Sequence, residues 1–446
     1  MRRLPRFEAR LLAIAALALF VRLLYTGLNR KYPVIGDALT FYKDAAHLAN
    51  GEGFRRATEN IPTAEHPPLH IVVLATIDKL GGYGTLAQKF VLCFVGTGTV
   101  VAIGYLARRV AGPRAGLIAA GIAAIYPLLW VIDGSLMSET EYALLITLTL
   151  LAAYGYLDRP SWKRAALLGG AITLCAYTRG EAVGLLVILV LPLAYRAQPT
   201  WGGRLKMVAV VFATFAVLLA PWQIRNFSTF KDPVWISDNG EGVWVGANCH
   251  GSYYGKLTGS WDYSCFGHRA AGDESQFSED YRQRGIQYAK DHSGRIPYVM
   301  LIRLLREFDF YRPLQSAILM STEGRSYEVA KWGIRAYWLL LPFSIAGAVL
   351  LRRRRDTLVI LMAPVILGVA VAAVVYGSTR FRVIMEPVLV VLGGVAMDAL
   401  WSWIAARRQA RSPSASDAAS SAPARATPTS VRAGISQSQS IAPWNA

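Results

Sequence analysis

Charge is what this sequence has least of. Asp, Glu, Lys and Arg make up 17% of its 446 residues, against roughly 25% in an average soluble domain. Hydrophobic residues make up 54%. The charges gather in short clusters between apolar runs, and a run of about 18 or more apolar residues reads as a membrane-spanning helix. This excludes the two or three soluble domains that length alone would allow. It also decides how to read the net charge of +18. No soluble basic domain is present to hold nucleic acid, so Lys and Arg at span ends serve topology and lipid headgroups instead. Two further absences narrow the class. There is no clear internal repeat, and most spans carry no charge at mid-depth, whereas transporters show repeats, broken helices or mid-membrane charges.

What is present predicts an all-α polytopic membrane protein of about ten transmembrane helices. The spans fall at 11–28, 87–107, 115–132, 142–157, 165–178, 182–195, 207–224, 334–351, 358–376 and 384–405. The positive-inside rule fixes the sidedness. With the N-terminus cytoplasmic, the inside loops hold Arg108, Arg109, Arg114, Arg159, Lys163, Arg164, Arg204, Lys206 and Arg352 to Arg355, besides Arg2, Arg3, Arg6 and Arg10. The short outside loops hold Arg179, Arg380 and Arg382. Both termini are then cytoplasmic, in a multi-pass plasma-membrane protein. Two longer segments lie outside, at about 29–86 and 225–330. The expected organisation is an N-terminal bundle (1–224, including the first outside loop), a small extracytoplasmic domain (225–330) and C-terminal spans (331–405). A Ser-, Ala- and Pro-rich tail (406–446) buries too little to offset chain entropy and should be disordered.

There are four cysteines. Cys93 and Cys175 fall inside spans as small apolar fillers. Cys249 and Cys265 fall in the second outside loop, where an oxidising compartment favours a disulfide. His250 and His268 flank them, so a zinc site is the alternative.

The first outside loop holds the most suggestive residues. Gly36 breaks the chain, Asp37 can cap a helix, and Asn50-Gly51 ends it. Thr40 and Asp44 share the Asp37 face, which puts two carboxylates at the outer surface. On the residues alone, Asp37 is equally an N-cap and Asp44 a solvated group. Glu65-His66-Pro67-Pro68 forms an extended approach to the apolar segment 69–80. That segment is too short to span and reads as re-entrant or interfacial. His66 is a basic candidate there, or a plain surface histidine. The stretch 303–312 is basic and aromatic and reads as an amphipathic surface helix.

These pieces occur in an order that resembles a known family. They are Gly36-Asp37 with Phe41-Tyr42 and Gly51-Glu52-Gly53-Phe54; His66-Pro67-Pro68-Leu69; Ser138-Glu139; Thr178-Arg179-Gly180-Glu181; Ala220-Pro221-Trp222-Gln223-Ile224-Arg225-Asn226; Gly246-Ala247-Asn248; and Tyr376-Gly377 with Arg380, Arg382 and Glu386-Pro387. Together they look like the C-type, polyprenyl-phosphate-dependent membrane glycosyltransferases, the superfamily of protein O-mannosyltransferases and lipid A aminoarabinose transferases. The sequence departs from the family at two points. The family often has Asp-Glu where this chain has Asp37-Ala38, and usually Arg or Lys where it has His66.

The resemblance implies inverting transfer of a sugar from a polyprenyl phosphate to a hydroxyl on a lipid, glycan or protein acceptor. It implies Asp37 as the base. His66, Arg225, Arg380 and Arg382 are candidates for the donor phosphate, because arginine offers a planar fork to phosphate oxygens. Lipid-headgroup snorkelling is the plainer account of these arginines. Asp44 and Glu139 are candidates for orienting the acceptor or holding a divalent cation, with simple helix N-terminal placement as the other account of Glu139. A transporter or flippase of the same carrier, or a polysaccharide ligase, is the competing class.

Overall fold

A computed structural model describes residues 5–56 and 59–411. Arg2 and Arg3, and residues 412–446 of the expected tail, lie outside the described residues. Among the described residues all repeating structure is helical, and an isolated bridge joins Arg55 to Pro62. The chain divides after Ala399 into two compact units. Segment 225–330 belongs to the first, and so does every candidate site residue.

The first helix, α1 (Arg6–Leu28), is followed by two helices of the first outside loop, α2 (Asp37–Ala49) and α3 (Pro68–Lys79). Gly36 adopts φ +60° and itself takes the N-cap position of α2. Asp37 is therefore the first helical residue and makes no cap hydrogen bond. This corrects the expected capping role and leaves its carboxylate free for another partner. Pro68 opens α3, where a missing N–H costs nothing.

Next come α4 (Thr85–Ala111), α5 (Pro113–Ile125), α6 (Pro127–Trp130), α7 (Glu139–Asp158) and α8 (Trp162–Thr178). The expected single span at 115–132 is instead bent by 66° between α5 and the segment from Pro127. Tyr126 is extended (φ −73°, ψ 114°), as a residue before proline prefers. The sixth expected span is a 3-10 turn followed by α9 (Leu185–Ile188) and α10 (Val190–Ala197). Then follow α11 (Trp201–Thr229), the outer helices α12 (Asn239–Ala247), α13 (His250–Tyr253), α14 (Glu274–Asp291), α15 (Ile296–Glu307) and α16 (Pro313–Ser321), and finally α17 (Tyr327–Leu351), α18 (Arg355–Val374) and α19 (Glu386–Arg411).

Among the described residues, eight helical segments are long and apolar enough to cross a membrane, and the bent pair, taken as one span, makes a ninth. At 17 residues, α8 stands where the fifth span was expected. Spanning helices lack a hydrophobic drive against one another and pack through small residues. Accordingly, a Cβ added to Gly347 on α17 would lie 2.0 Å from the Leu392 carbonyl of α19. Leu12, Phe20, Leu205 and Val217 stay exposed on α1 and α11, the faces a bilayer would cover.

One end of the bundle is tied by arginines. Arg108 meets Glu8 at 2.8 Å, Arg109 pairs with Asp158, and Arg114 pairs with Asp398. The opposite end carries the site.

Candidate active site

Segments far apart in sequence bring their charged residues together at helix ends. Asp37 opens α2, and Glu139 opens α7. Arg179 and Glu181 follow α8, Glu323 and Arg325 lie between α16 and α17, and Arg380 follows α18. Arg380 is the hub. Its Nη1 donates to Asp37 Oδ2 at 2.6 Å, and its Nε donates to Glu139 Oε1. Arg179 Nη1 reaches the same Glu139 oxygen at 3.2 Å, and Arg179 Nε donates to Glu181 at 2.6 Å. Arg325 stands 3.7 Å from both Glu139 and Glu323. Glu139 is wholly buried, whereas the Asp37 side chain is about 35% exposed. Burial pushes the Asp37 carboxyl up, but Arg380 and then His66 outweigh it and hold the group at about 2. Burial raises Glu323 above the usual carboxylate range despite Arg380 and Arg325.

The loop that carries Arg380 is held by the outer helices. Arg303 on α15 donates to Val374 O at 2.9 Å and to Ala247 O at 2.7 Å. Gly377 N donates to Gly259 O at 2.9 Å. A Cβ at Gly377 would lie 1.9 Å from the Arg303 carbonyl, so glycine is needed for this approach. This corrects the expected surface helix at 303–312. Arg303 and Arg306 are buried, because they satisfy backbone carbonyls that would otherwise be left unpaired.

A cavity of about 500 Å³ opens beside Arg380. His66, Arg179, Glu181, Arg282 and Arg380 are among its lining residues. Phe41, Trp235, Val371, Val375 and Phe381 give it an apolar wall. His66 is buried against Phe41, with ring centroids 4.3 Å apart. Its Nδ1 meets Asn239 at 3.3 Å, and its Nε2 has no hydrogen-bond partner.

Asp37 and Glu139 are joined through Arg380, and of these residues Arg380 and His66 line the cavity whereas Asp37 and Glu139 do not. Arg225 and Arg382 do not line the cavity. Arg225 spends its donors on Thr63 O (2.9 Å), Phe54 O (3.1 Å) and Asn226 (2.9 Å), clamping the first outside loop to α11. Arg382 is fully buried, bonded to Asp309 at 2.8 Å and Glu386 at 2.7 Å, with its guanidinium 3.6 Å from the Tyr337 ring centroid. Only Phe381 separates it from Arg380, at the start of a 3-10 turn, and the two arginines take different partners. Asp44 is 1% exposed on α2 and is no solvated group.

Arg179, Arg325, Glu181 and Glu323 complete the cluster without having been singled out from sequence. Arg179 and Glu181 lie in a quoted motif, and Arg179 is, with Arg380 and Arg382, one of the three arginines expected in the short outside loops. Glu323 gave no signal.

A divalent cation would need carboxylate oxygens. Here Asp37 and Glu139 are already bridged by a guanidinium. Cys249 and Cys265 form a disulfide with Cα atoms 6.3 Å apart, which leaves no thiolate there for zinc.

Residues 65–224 match the family model described as dolichyl-phosphate-mannose-protein mannosyltransferase. No curated protein sequence matches the chain. The oligosaccharyltransferase of Archaeoglobus fulgidus in its apo form is similar at 15% identity with a TM-score of 0.55, covering 91% of this chain and 51% of that one. The same archaeal enzyme, AglB, in complex with an inhibitory peptide and a dolichol-phosphate, gives 15% identity and a TM-score of 0.51 over 95% of this chain and 52% of that one. ArnT from Cupriavidus metallidurans bound to undecaprenyl phosphate gives 16% identity and a TM-score of 0.41, covering 87% and 74%. The chain spans about half the length of the archaeal oligosaccharyltransferase. In sequence over residues 65–224, and in fold over most of its length, the chain resembles the polyprenyl-phosphate-dependent membrane glycosyltransferases.

Proposed function

We propose that the chain transfers a sugar from a polyprenyl-phosphate donor to an acceptor hydroxyl, with inversion, at the extracytoplasmic face of the plasma membrane. The observation that carries this is Arg380 bridging Asp37 and Glu139 beside a cavity lined by both charged and apolar side chains. Such a cavity suits a ligand that is anionic at one end and hydrocarbon at the other.

Asp37 takes the proton of the acceptor hydroxyl, and the acceptor oxygen bonds to the anomeric carbon from the face opposite the phosphate. The carbon–oxygen bond to phosphate breaks, and its electron pair leaves on the polyprenyl phosphate. Arg380 receives that growing charge, with Arg179 and His66 beside it. A carboxylate held at about 2 is a weak base at neutral pH. The donor phosphate answers this by competing for Arg380. As the guanidinium turns to phosphate, Asp37 gains proton affinity. As Asp37 takes the proton, it releases Arg380 to the leaving group. The donor lipid thereby switches on its own base.

The test is Asp37→Asn in the full chain in nanodiscs, assayed with a radiolabelled polyprenyl-phosphate sugar. Removal of the base should lower transfer by about 100- to 10,000-fold with binding of undecaprenyl phosphate retained. Transfer near the wild-type rate removes Asp37 from the role.

A further inference from the structure

A second cavity, of about 360 Å³, lies between the 29–86 loop, which supplies Arg56, Glu59 and Glu65, and the 225–330 segment, and Asn239 lines both it and the larger cavity. Its size falls within the range of about 300–1,000 Å³ usual for small-ligand sites. Tyr263, Phe266 and Tyr281 form an aromatic wall. Phe266 stacks on Tyr263 at 5.3 Å and meets Tyr281 edge-on at 4.9 Å. The Tyr263 ring is 75% exposed, so its face is available to a ligand.

The opposite wall is polar. Asp238 is 1% exposed and lines the cavity; its Oδ2 meets no N–H or hydroxyl donor, and its side chain shares a hydrogen bond with Glu274. A carboxyl that shares a proton in this way keeps acceptor capacity, which a ligand hydroxyl would use. Burial and the neighbouring Glu274 and Glu65 carboxylates push Asp238 well above the usual range, which suits an uncharged polar ligand.

The cations argue against an anion. Arg56 is paired with Glu65 at 3.1 Å and Glu274 at 3.0 Å. Arg269 is paired with Glu59 at 2.6 Å and lies 3.7 Å from the Phe277 ring centroid. With Glu59, Glu65 and Asp238 beside these two arginines, the lining carries no excess of positive charge for a phosphate. Carboxylates that accept from hydroxyls, opposite aromatic faces that stack on C–H surfaces, fit a neutral saccharide. The position fits too, because Asn239 hydrogen-bonds His66 at 3.3 Å and His66 acts on Asp37.

We infer that this cavity is the acceptor subsite and that it takes a neutral saccharide, with Tyr263 as its stacking platform and Asp238 as a hydroxyl acceptor. The inference rests on the proposed transfer reaction and adds the acceptor class to it.

The experiment uses the full chain in nanodiscs and two readouts. Binding of undecaprenyl phosphate reports the donor cavity. Thermal shift and label transfer from the polyprenyl-phosphate sugar report the acceptor. The probes are a panel of neutral di- to pentasaccharides, a Ser/Thr-containing peptide and inorganic phosphate. A saccharide should stabilise the protein saturably and accept label. Tyr263→Ala and Asp238→Ala should each weaken that response by about tenfold, the loss expected of one buried polar or stacking contact. Donor-lipid binding should not change. Tyr263 is exposed, so its variant tests the site without threatening the fold. The proposal is overturned if the donor-binding wild type answers no saccharide, if both variants keep the full response, or if the peptide or phosphate alone responds and loses its response in the variants. Failure of the wild type to bind the donor lipid sinks the transfer reaction instead.

Discussion

Arg380 holds two carboxylates at once, and the physical chemistry of the site turns on its planar fork. Lysine would keep the charge but is a point donor on a flexible stem. It cannot bridge Asp37 and Glu139 in the same way. Arg380→Lys should therefore lower kcat by about 100- to 1,000-fold, the usual loss for one preorganised donor to a developing anion. Its pH behaviour gives a second signature. Arg380 depresses the Asp37 pKa to about 2, so the stability this pair contributes is present above the ordinary carboxylate value of about 3.9 and is lost as pH falls through about 2. With lysine the pKa moves back up, and acid unfolding should begin at higher pH. Thermal scans from pH 2 to 6 on both proteins check this, and superimposable profiles would show that the bridge contributes nothing. In the sequence, Asp37 stood out through the family resemblance, and Arg380 as an arginine expected outside, where topology asks for no positive charge. That criterion cannot see direction. Arg225, Arg380 and Arg382 satisfy it equally, yet Arg225 clamps backbone and Arg382 turns into a sealed cluster.

Helices were readable from apolar length, and most spans lie within a few residues of where hydropathy puts them. Interruptions were less readable. The bend before Pro127 and the break at Leu189 fall inside apolar runs, where hydropathy stays high while backbone geometry changes. Small residues carry information that hydropathy discards. The approach of α17 to α19 depends on Gly347, since an added Cβ would sit 2.0 Å from a backbone carbonyl that cannot swing aside. Gly347→Ala should destabilise the protein by about 1–3 kcal/mol, the usual cost of overpacking. Gly27→Ala is the matched control, because nothing lies within 4 Å of its added Cβ and alanine is the better helix former. The two variants are compared by thermal unfolding in one detergent. An equal Tm would mean the helices have room to part. In the outer segment, the Cys249–Cys265 disulfide closes a loop of 16 residues and is worth about 3 kcal/mol by loop-closure entropy. It braces the segment that supplies Asp238 and Tyr263.

At the scale of the whole molecule, the charges are sorted by what they do. Arg108, Arg109 and Arg114 at one end pair with exposed or half-buried carboxylates, contacts worth little to stability. Their number matters for orientation in the membrane. At the other end Arg179, Arg325 and Arg380 surround a carboxylate with no exposed surface, an arrangement that is costly unless it serves a function. By the positive-inside rule we expect the first end in the cytoplasm and the second outside. This sidedness can be read chemically. Cys93 and Cys175 are buried and Cys249 is tied to Cys265, so an added thiol reports alone. Lys163 and Lys290 are exposed at opposite ends. An impermeant maleimide should label Lys290→Cys in intact spheroplasts and Lys163→Cys only after lysis. The reverse pattern would put Asp37 and Arg380 in the cytoplasm, where the sugar would have to be transferred before its carrier is flipped, and the proposed reaction would lose its compartment.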